Sequence, residues 1–109
     1  MYVSITGLRL KSQLHAPRFW WHAIRSMAQA RRAPGNISTD ARSVAGMQHT
    51  LTVWTDQAAM RAYLVRGAHL QAMRAFGAIA TGSVFGFETE AAPDWETALA
   101  ELSARGRPI

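Results

Sequence analysis

The most informative stretch of the sequence is residues 47–64, MQHTLTVWTDQAAMRAYL. Its first half, up to Trp54, is rich in β-branched and apolar residues and predicts a strand. Thr55 or Asp56 can then accept backbone hydrogen bonds as the N-cap of a helix. The helix is expected to bury one side, because its apolar residues recur at helical spacing: Met60, Tyr63 and Leu64. We therefore expect a strand that passes directly into a capped helix.

The segments before this stretch predict two more strands and a helix. Residues 37–45 are expected to pair with the strand at 47–54 as an antiparallel hairpin, because Gly46 allows the positive φ of a tight turn. Residues 2–10 alternate and predict another strand, and residues 17–33 predict a helix with a proline in its first turn. The apolar residues expected to face the core on this helix are Trp20, Ala23, Ile24, Met27 and Ala30.

The segments after this stretch predict two helices and a strand. Gly67 is expected to end the helix of the opening stretch, and residues 70–80 then form a further helix. Its expected stripe is His69, Met73, Phe76 and Ala80. Residues 81–88 alternate as a final strand, and a C-terminal helix starts at Pro93. The apolar stripe of that helix is Trp95, Ala98, Leu99 and Leu102, and residues from about 104 to 109 are expected to form a frayed tail.

The resulting order is β-α-β-β-α-β, with one extra helix in the second crossover and another at the end. This order predicts the α+β class and a ferredoxin-like four-stranded antiparallel sheet with the helices on one face. At 109 residues, we expect a single domain that spans positions 1–109. The other sheet face would be too apolar for water, so we expect it to pack against a second copy in a homodimer. Its expected members are Tyr2, Thr6, Thr50, Thr52, Trp54, Phe85 and Phe87.

Composition and missing motifs exclude several classes of function. The chain has no cysteine, which excludes disulfides, thiolate metal sites, iron–sulfur clusters and thiol nucleophiles. Its four histidines lack the spacing of a metal site, so no metal is expected. Serine hydrolase, nucleotide hydrolase and dinucleotide motifs are missing as well. No apolar run reaches the roughly 18 residues of a membrane span, and the first residues lack the pattern of a signal peptide, so we expect a cytoplasmic protein.

Positive charge is concentrated in the first half of the chain. Residues 1–50 hold seven basic residues and one acid, Asp40, while the whole chain has a net charge of +5. The first helix carries a polar stripe at helical spacing: Arg18, His22, Arg25, Gln29 and Arg32. We interpret this stripe as a solvated face, although its charge could also attract an anionic ligand. Nucleic acid is not an expected partner, because neither stacked aromatics nor a known binding module accompanies the arginines.

Four segments carry a family resemblance: His49–Trp54, Asp56–Tyr63, Gly67–His69 and Ala80–Phe87. With the element order, they make the chain resemble the dimeric α+β barrel superfamily of antibiotic biosynthesis monooxygenase (ABM)-like domains over roughly residues 2–90. The chain is more loosely similar to the spheroidene monooxygenase-like branch. The resemblance implies that two sheets, one from each subunit, close into a barrel with a ligand pocket between sheet and helices. The cofactor that it implies is either none or haem.

The resemblance further implies a monooxygenase-like protein that acts on a small apolar or aromatic substrate, or on haem, in this pocket. His69 and Trp54 are the expected catalytic residues. His69 would be a general base in cofactor-free chemistry or the axial ligand of a haem. The expected ligand-binding residues are Thr50, Thr52, Tyr63, Met73, Phe85 and Trp21. A non-catalytic ligand-binding or structural homodimer is the alternative, because the sequence offers no evident acid–base pair.

The chemistry of three side chains is consistent with these roles. His69 lies near a helix N-terminus, where the positive end of the macrodipole favours a neutral imidazole. The indoles of Trp54 and Trp21 each offer a flat stacking surface and one N–H donor. A packed core histidine, and tryptophans that serve a core or an interface, are the alternative interpretations.

The chain departs from the family at two places where other members have asparagine. Members that degrade haem use an asparagine on the first strand, where this chain has Ser4 and Thr6. Cofactor-free members use one near the strand tryptophan, where this chain has Thr50 and Thr52. Hydroxyl groups therefore replace an amide at both places.

Overall fold

Five strands form one antiparallel sheet in the computed structural model of the chain, which describes residues 1–109. The strands are β1 (Tyr2–Leu10), β2 (Asn36–Val44), β3 (Met47–Trp54), β4 (Ala80–Glu88) and β5 (Arg107–Pro108). The helices are α1 (Ala16–Arg32), α2 (Gln57–Leu64), α3 (Gly67–Ile79) and α4 (Trp95–Arg105), and a short 3-10 turn at Gln13–His15 precedes α1. The order across the sheet is β2-β3-β1-β4-β5. The predicted α+β ferredoxin-like class is confirmed, with a fifth strand added.

The turn between β2 and β3 is the predicted tight hairpin. Ala45 and Gly46 have φ values of 50° and 81°, and positive φ at both central residues is the pattern of a type I′ turn. Val44 pairs with Met47 directly across this turn. The register fixed there continues along both strands until a one-residue shift between Asn36 and Ser38. The hairpin prediction is confirmed.

One face of the sheet, which we call the inner face, lies under α1, α2 and α3. Its first buried cluster is Tyr2, Ala30, Trp54, Met60 and Tyr63, and its second is Phe19, Ile79 and Ala80. Tyr2 and Trp54 are paired neighbours on β1 and β3, so they point to the same side. The prediction that their face is bare is therefore wrong: helices cover it.

The opposite face of the sheet, the outer face, is covered by α4. Its buried cluster is Val3, Ile5, Leu51, Val53, Ala98 and Leu102. Placing every helix on one face was thus wrong for α4. Successive strand residues point to opposite faces, so the row of Val3 and Ile5 needs its own apolar cover, and the stripe of α4 provides it.

A cap, a hydrogen bond to β2 and a cation–π contact stabilise the two ends of α4. At the first turn, the carboxylate of Asp94 accepts from the backbone N–H of Thr97 at 2.8 Å and caps the helix. The indole Nε1 of Trp95 donates to Asp40 on β2, also at 2.8 Å. At the far end, the guanidinium of Arg105 lies 5.8 Å from the ring centre of Phe85.

The residues after α4 extend the sheet instead of fraying. Arg107 and Pro108 pair with Val84 and Ser83 of β4, and the N–H of Ile109 donates to the carbonyl of Gly82 at 3.0 Å. The predicted frayed tail is therefore corrected to a short edge strand. Its pairing uses backbone groups, which leave no apolar pattern in the sequence.

The buried side of α1 also differs from the predicted stripe. Phe19, Ser26 and Ala30 are buried, whereas Ile24 is 63% exposed. Ala30 of the predicted stripe is buried, and Trp20, Ala23 and Met27 border the space between α1 and the sheet, so the buried side is shifted toward Phe19 and Ser26 by less than one residue position. Because α1 is apolar over a wide arc, the two orientations are hard to distinguish from periodicity alone.

Candidate functional site

A cavity of about 450 Å³, which we call the sheet cavity, lies between the inner face and the helices. Its apolar wall comes mainly from α1 and α3, with Phe19, Trp20, Ala23, Met27, Met73 and Phe76. Its floor is the inner face, where five serine and threonine residues line it: Ser4, Thr6, Thr39, Thr50 and Thr52. A ligand in this cavity would contact apolar side chains on one side and hydroxyl groups on the other.

The floor hydroxyls form two rows across the sheet. Ser4, Thr52 and Thr39 are consecutive partners on β1, β3 and β2, and Thr6 is the partner of Thr50 in the next row. The hydroxyls of Thr6 and Thr52 reach backbone carbonyls only at 3.5 Å. Bonds of that length are weak, so these hydroxyls can turn toward a ligand at little cost.

Two glycines of β4 make room on the inner face for side chains of β1. Gly82 and Gly86 point to the inner face, and the side chains of Leu8 and Tyr2 lie over them. A Cβ atom at position 86 would overlap the hydroxyl of Tyr2. The missing side chain at this position therefore sets where the Tyr2 ring lies at the edge of the cavity.

His69 borders the cavity from the first turn of α3. Its ring Nδ1 lies 3.2 Å from the carbonyl oxygen of Leu64, so Nδ1 carries the hydrogen and Nε2 keeps its lone pair. Burial lowers the pKa of His69, and the hydrogen bond to Leu64 opposes this only in part. The imidazole is therefore neutral at pH 7, with one free acceptor nitrogen.

Tyr63 holds the ring of His69 in place from α2. The ring centres of Tyr63 and His69 are 4.4 Å apart, and Trp54 lies 5.2 Å from Tyr63 on the other side. The phenol donates to the carbonyl of Ser26 at 3.1 Å and accepts from the Ser26 hydroxyl at 2.8 Å. Burial raises the pKa of Tyr63 to about 12. The phenol thus stays protonated and its hydrogen-bonding capacity is used within the protein.

The structure brings together five of the eight predicted site residues. His69, Thr50, Thr52, Tyr63 and Met73 all line the sheet cavity. A neutral imidazole and hydroxyl donors therefore border the same apolar space.

The other three predicted residues lie elsewhere. Trp54 is fully buried behind Tyr63 and does not line the cavity, and its Nε1 has no hydrogen-bond partner. Phe85 is on the outer face, stacked on Phe87 at 5.6 Å, because odd-numbered residues of β4 point away from α1, α2 and α3 and toward α4. Trp21 is 57% exposed and stacks under the guanidinium of Arg25 instead of a ligand.

The sequence interpretation missed several lining residues. Ser4 and Thr6 lie on the inner face with Tyr2, so the alternation of β1 indicates that all three residues point to the same side. Phe19 and Phe76 were missed as cavity residues because the orientation of the helices was not known. Arg107 of β5 also borders the cavity, and nothing in its local sequence indicated this.

The side chains of the cavity do not fit a haem. Arg107 is the only cationic side chain among the lining residues, so at most one of the two propionates would meet a charged partner. The hydrogen bond of His69 Nδ1 to Leu64 leaves Nε2 free, as an axial ligand requires, so the mismatch with haem lies in the propionates and not in the histidine. No three imidazole or carboxylate side chains come together in a way that could hold a metal ion.

No protein-family model matches the chain, and no curated protein matches it. Solved structures do match. SnoaB, a cofactor-independent oxygenase from Streptomyces nogalater, is 20% identical, with 85% of this chain and 97% of that chain covered and a TM-score of 0.69. A candidate antibiotic biosynthesis monooxygenase from Deinococcus radiodurans is 18% identical, with 86% and 97% covered and a TM-score of 0.74.

Rv0793 from Mycobacterium tuberculosis is 12% identical, with 86% of this chain and 100% of that chain covered and a TM-score of 0.74. Likeness at these identities establishes a shared fold. The ABM-like fold predicted from the sequence is confirmed in this sense. No helix of the chain is both long and apolar enough to cross a membrane.

Proposed function

We propose that this chain, which has the ABM-like fold, is a monooxygenase that needs no cofactor and oxidises a small apolar or aromatic substrate in the sheet cavity. The observation that carries the proposal is a neutral imidazole with a free Nε2 at the edge of an apolar space floored by hydroxyls. The description of SnoaB as a cofactor-independent oxygenase supports the same chemistry.

The proposed reaction converts an activated methylene of the substrate to a carbonyl. His69 Nε2 takes a proton from the carbon, and hydroxyls of the floor, such as Thr50 and Thr52, stabilise the resulting enolate oxygen. The carbanion reacts with O₂ and, after proton uptake, forms a hydroperoxide. Loss of the remaining C–H proton then breaks the O–O bond. One oxygen atom stays in the product as the carbonyl, the other leaves as water, and the substrate supplies all four electrons.

We further propose that the protein works as a homodimer, as the ABM-like resemblance implies. Several large apolar side chains remain exposed around the cavity mouth and on α1, among them Trp20, Ile24 and Met73. An exposed apolar patch of this kind is typical of an interface. Sedimentation equilibrium at micromolar concentrations should give twice the chain mass, and a monomer mass would contradict this part of the proposal.

Anthrone is a suitable probe, because it is a flat aromatic with one acidic methylene. We expect the protein to consume one O₂ for each anthraquinone formed, with one labelled oxygen in the product when ¹⁸O₂ is used. His69→Gln should lower kcat by about 10²-fold or more, the usual range for loss of a general base. His15→Gln, which changes a histidine in the 3-10 turn, is the matched control and should leave turnover unchanged.

A non-catalytic ligand-binding protein is the second candidate. The observation that favours it is that no carboxylate contacts His69, whose ring partners are Leu64 and Tyr63. In that case anthrone would raise the melting temperature without oxygen uptake above the buffer rate. That result would overturn the monooxygenase proposal and leave the cavity as a binding site.

A further inference from the structure

A second concavity lies on the other side of Tyr63, between α1, α2 and the turn before β2. Its volume is about 890 Å³, and three arginines line it: Arg25, Arg32 and Arg66. We call it the arginine cleft. Its remaining lining is mostly small, with Ala28, Ala33, Gly35, Ala59, Ala62 and Ala68, and no acidic residue contributes to it.

The three guanidinium groups have no carboxylate partner within the chain. The protein's one ion pair joins Arg105 to Glu101 on α4. Three positive charges that line one concavity repel each other, and the repulsion is relieved when an anion binds among them. The polar stripe of α1 thus differs from a simple solvated face, because two of its arginines border a cleft with a third arginine from another element.

Arg25 is held in place by neutral groups. Its Nη1 donates to the side-chain oxygen of Gln71 at 3.2 Å, and its guanidinium lies 4.4 Å from the ring centre of Trp21. These contacts restrict the side chain without neutralising its charge. Because the Arg25 side chain is already restricted, an anion that binds to it would cause a smaller further loss of side-chain entropy.

Gln29 fixes the segment that carries Arg66. Its side-chain nitrogen donates to the carbonyl of Arg66 at 2.9 Å, and its oxygen accepts from the N–H of His69 at 2.8 Å. Gly67 has a φ of +51°, and a Cβ there would lie 3.2 Å from the Gln29 oxygen. Glycine at position 67 therefore lets this segment dock closely on α1, so that Arg66 lines the same cleft as Arg32.

We propose that the arginine cleft binds a small molecule that carries a diphosphate group. A guanidinium donates two parallel hydrogen bonds to phosphate oxygens, and three of them match the charge of a diphosphate. The cleft is larger than the diphosphate itself and leaves room for an attached organic group. The site is separate from the sheet cavity, so it stands or falls independently of the proposed monooxygenase activity.

Titration calorimetry with inorganic pyrophosphate at constant ionic strength tests the proposal. We expect saturable binding of one pyrophosphate per chain, at least tenfold tighter than orthophosphate, and ADP should bind at least as tightly as pyrophosphate. Arg32→Gln and Arg66→Gln should each weaken binding about tenfold, the usual effect of losing a charged hydrogen-bonding partner. Both side chains are exposed, so the variants should keep the wild-type circular dichroism and melting temperature.

Arg18→Gln is the matched control, since it removes the same charge from the same helix outside the cleft. It should leave pyrophosphate affinity within about twofold of wild type. Equal losses in Arg18→Gln and Arg32→Gln would mean that net charge alone attracts the anion, and the proposal would be overturned. Absence of saturable pyrophosphate binding, or a failure of ADP to bind, would overturn it too.

Discussion

The position of His69 is defined by three contacts that leave one ring atom free. Nδ1 of His69 donates to the Leu64 carbonyl, and the Tyr63 ring packs on the imidazole. The backbone N–H of His69 donates to the side-chain oxygen of Gln29. These contacts fix the tautomer, so the free lone pair is on Nε2. A buried histidine held in this way titrates below the usual pKa of about 6.5.

A pH titration tests the state of His69 directly. Because burial lowers its pKa, the imidazole ¹H NMR signals should shift with a midpoint below about 6.5. Above that pH, neither the folded nor the unfolded chain protonates this histidine. Below it, the unfolded chain takes up the proton first, so the free energy of unfolding should fall as the pH drops toward the folded pKa.

The His69→Gln variant isolates this contribution, because glutamine does not titrate. Its unfolding free energy should depend less on pH below about 6.5 than that of the wild type. Urea denaturation at a series of pH values measures the difference. Identical pH dependence in the two proteins would show that the folded and unfolded pKa values of His69 are equal.

Gly86→Ala should narrow the cavity by moving Tyr2. The new Cβ would occupy the space of the Tyr2 hydroxyl, and overpacking of this kind destabilises by about 1–3 kcal/mol. We expect a lower melting temperature and weaker binding of anthrone. Gly77→Ala, on the open side of α3 with no atom near its Cβ position, is the control and should be neutral or slightly stabilising.

The contact between α1 and α2 depends on one pair of polar side chains. Ser26 and Tyr63 are both buried, and the two hydrogen bonds between them are the buried polar link, to which Gln29 adds a longer bond of 3.4 Å to the Tyr63 carbonyl. A buried polar group that loses its partner costs more than the bond itself contributes. The orientation of α2, and through it the position of His69, therefore depends on this pair.

Tyr63→Phe should destabilise the protein by about 1–3 kcal/mol, because it leaves the Ser26 hydroxyl and carbonyl without their partner. The aromatic packing on Trp54 and His69 is preserved, so the fold should be retained. Chemical denaturation measures the loss. Tyr2→Phe makes the same chemical change at a hydroxyl that packs over Gly86 and should cost clearly less. Equal costs would contradict a special role of the Ser26 pair.

Local patterns predicted the elements well, and long-range packing accounts for what they missed. The β2–β3 hairpin depends on positive φ at Gly46 and is visible within a few residues. By contrast, both sides of β1 are apolar enough to be buried, with Val3 on one and Tyr2 on the other. The assignment of each side to a helix layer depends on where α4 docks, about 90 positions along the chain.

The site shows the same division. Thr50 and His69, which the resemblance implied as site residues, both line the sheet cavity. The predicted position of Phe85 was wrong because the alternation of residues along β4 shows which of them share a face, but not which face lies toward the cavity. The pairing of β5 with β4 uses main-chain groups, so Arg107 could not be assigned to the cavity from its sequence.

The molecule as a whole places its two cavities on either side of Tyr63, one apolar and one basic. The apolar one is enclosed by the inner face, and the basic one opens between the helices. The positive charge of the chain, which has a net charge of +5, is therefore unevenly distributed between the cavities. Three arginines without a carboxylate partner line the arginine cleft, whereas Arg107 is the one arginine that borders the sheet cavity.

Pyrophosphate should stabilise the whole fold if it occupies the arginine cleft. A ligand at about 100 times its Kd adds roughly 2.7 kcal/mol to the free energy of unfolding. Differential scanning calorimetry should then show a rise in Tm that sodium chloride at the same ionic strength does not reproduce. The rise should disappear in the Arg32→Gln and Arg66→Gln double variant. A rise that persists there would place the ion elsewhere.

The docking of α4 on the outer face makes each chain complementary to its own copies. Six residues, 89–94, connect β4 to α4, where Trp95 donates a hydrogen bond to Asp40 and Leu102 packs in the outer-face cluster. Two chains that exchange their C-terminal helices would rebuild those contacts without any new surface, so only the linker and the chain concentration distinguish the closed from the exchanged form. Refolding from denaturant at high concentration should thus trap interlocked pairs that dilution releases slowly, at the rate at which α4 detaches.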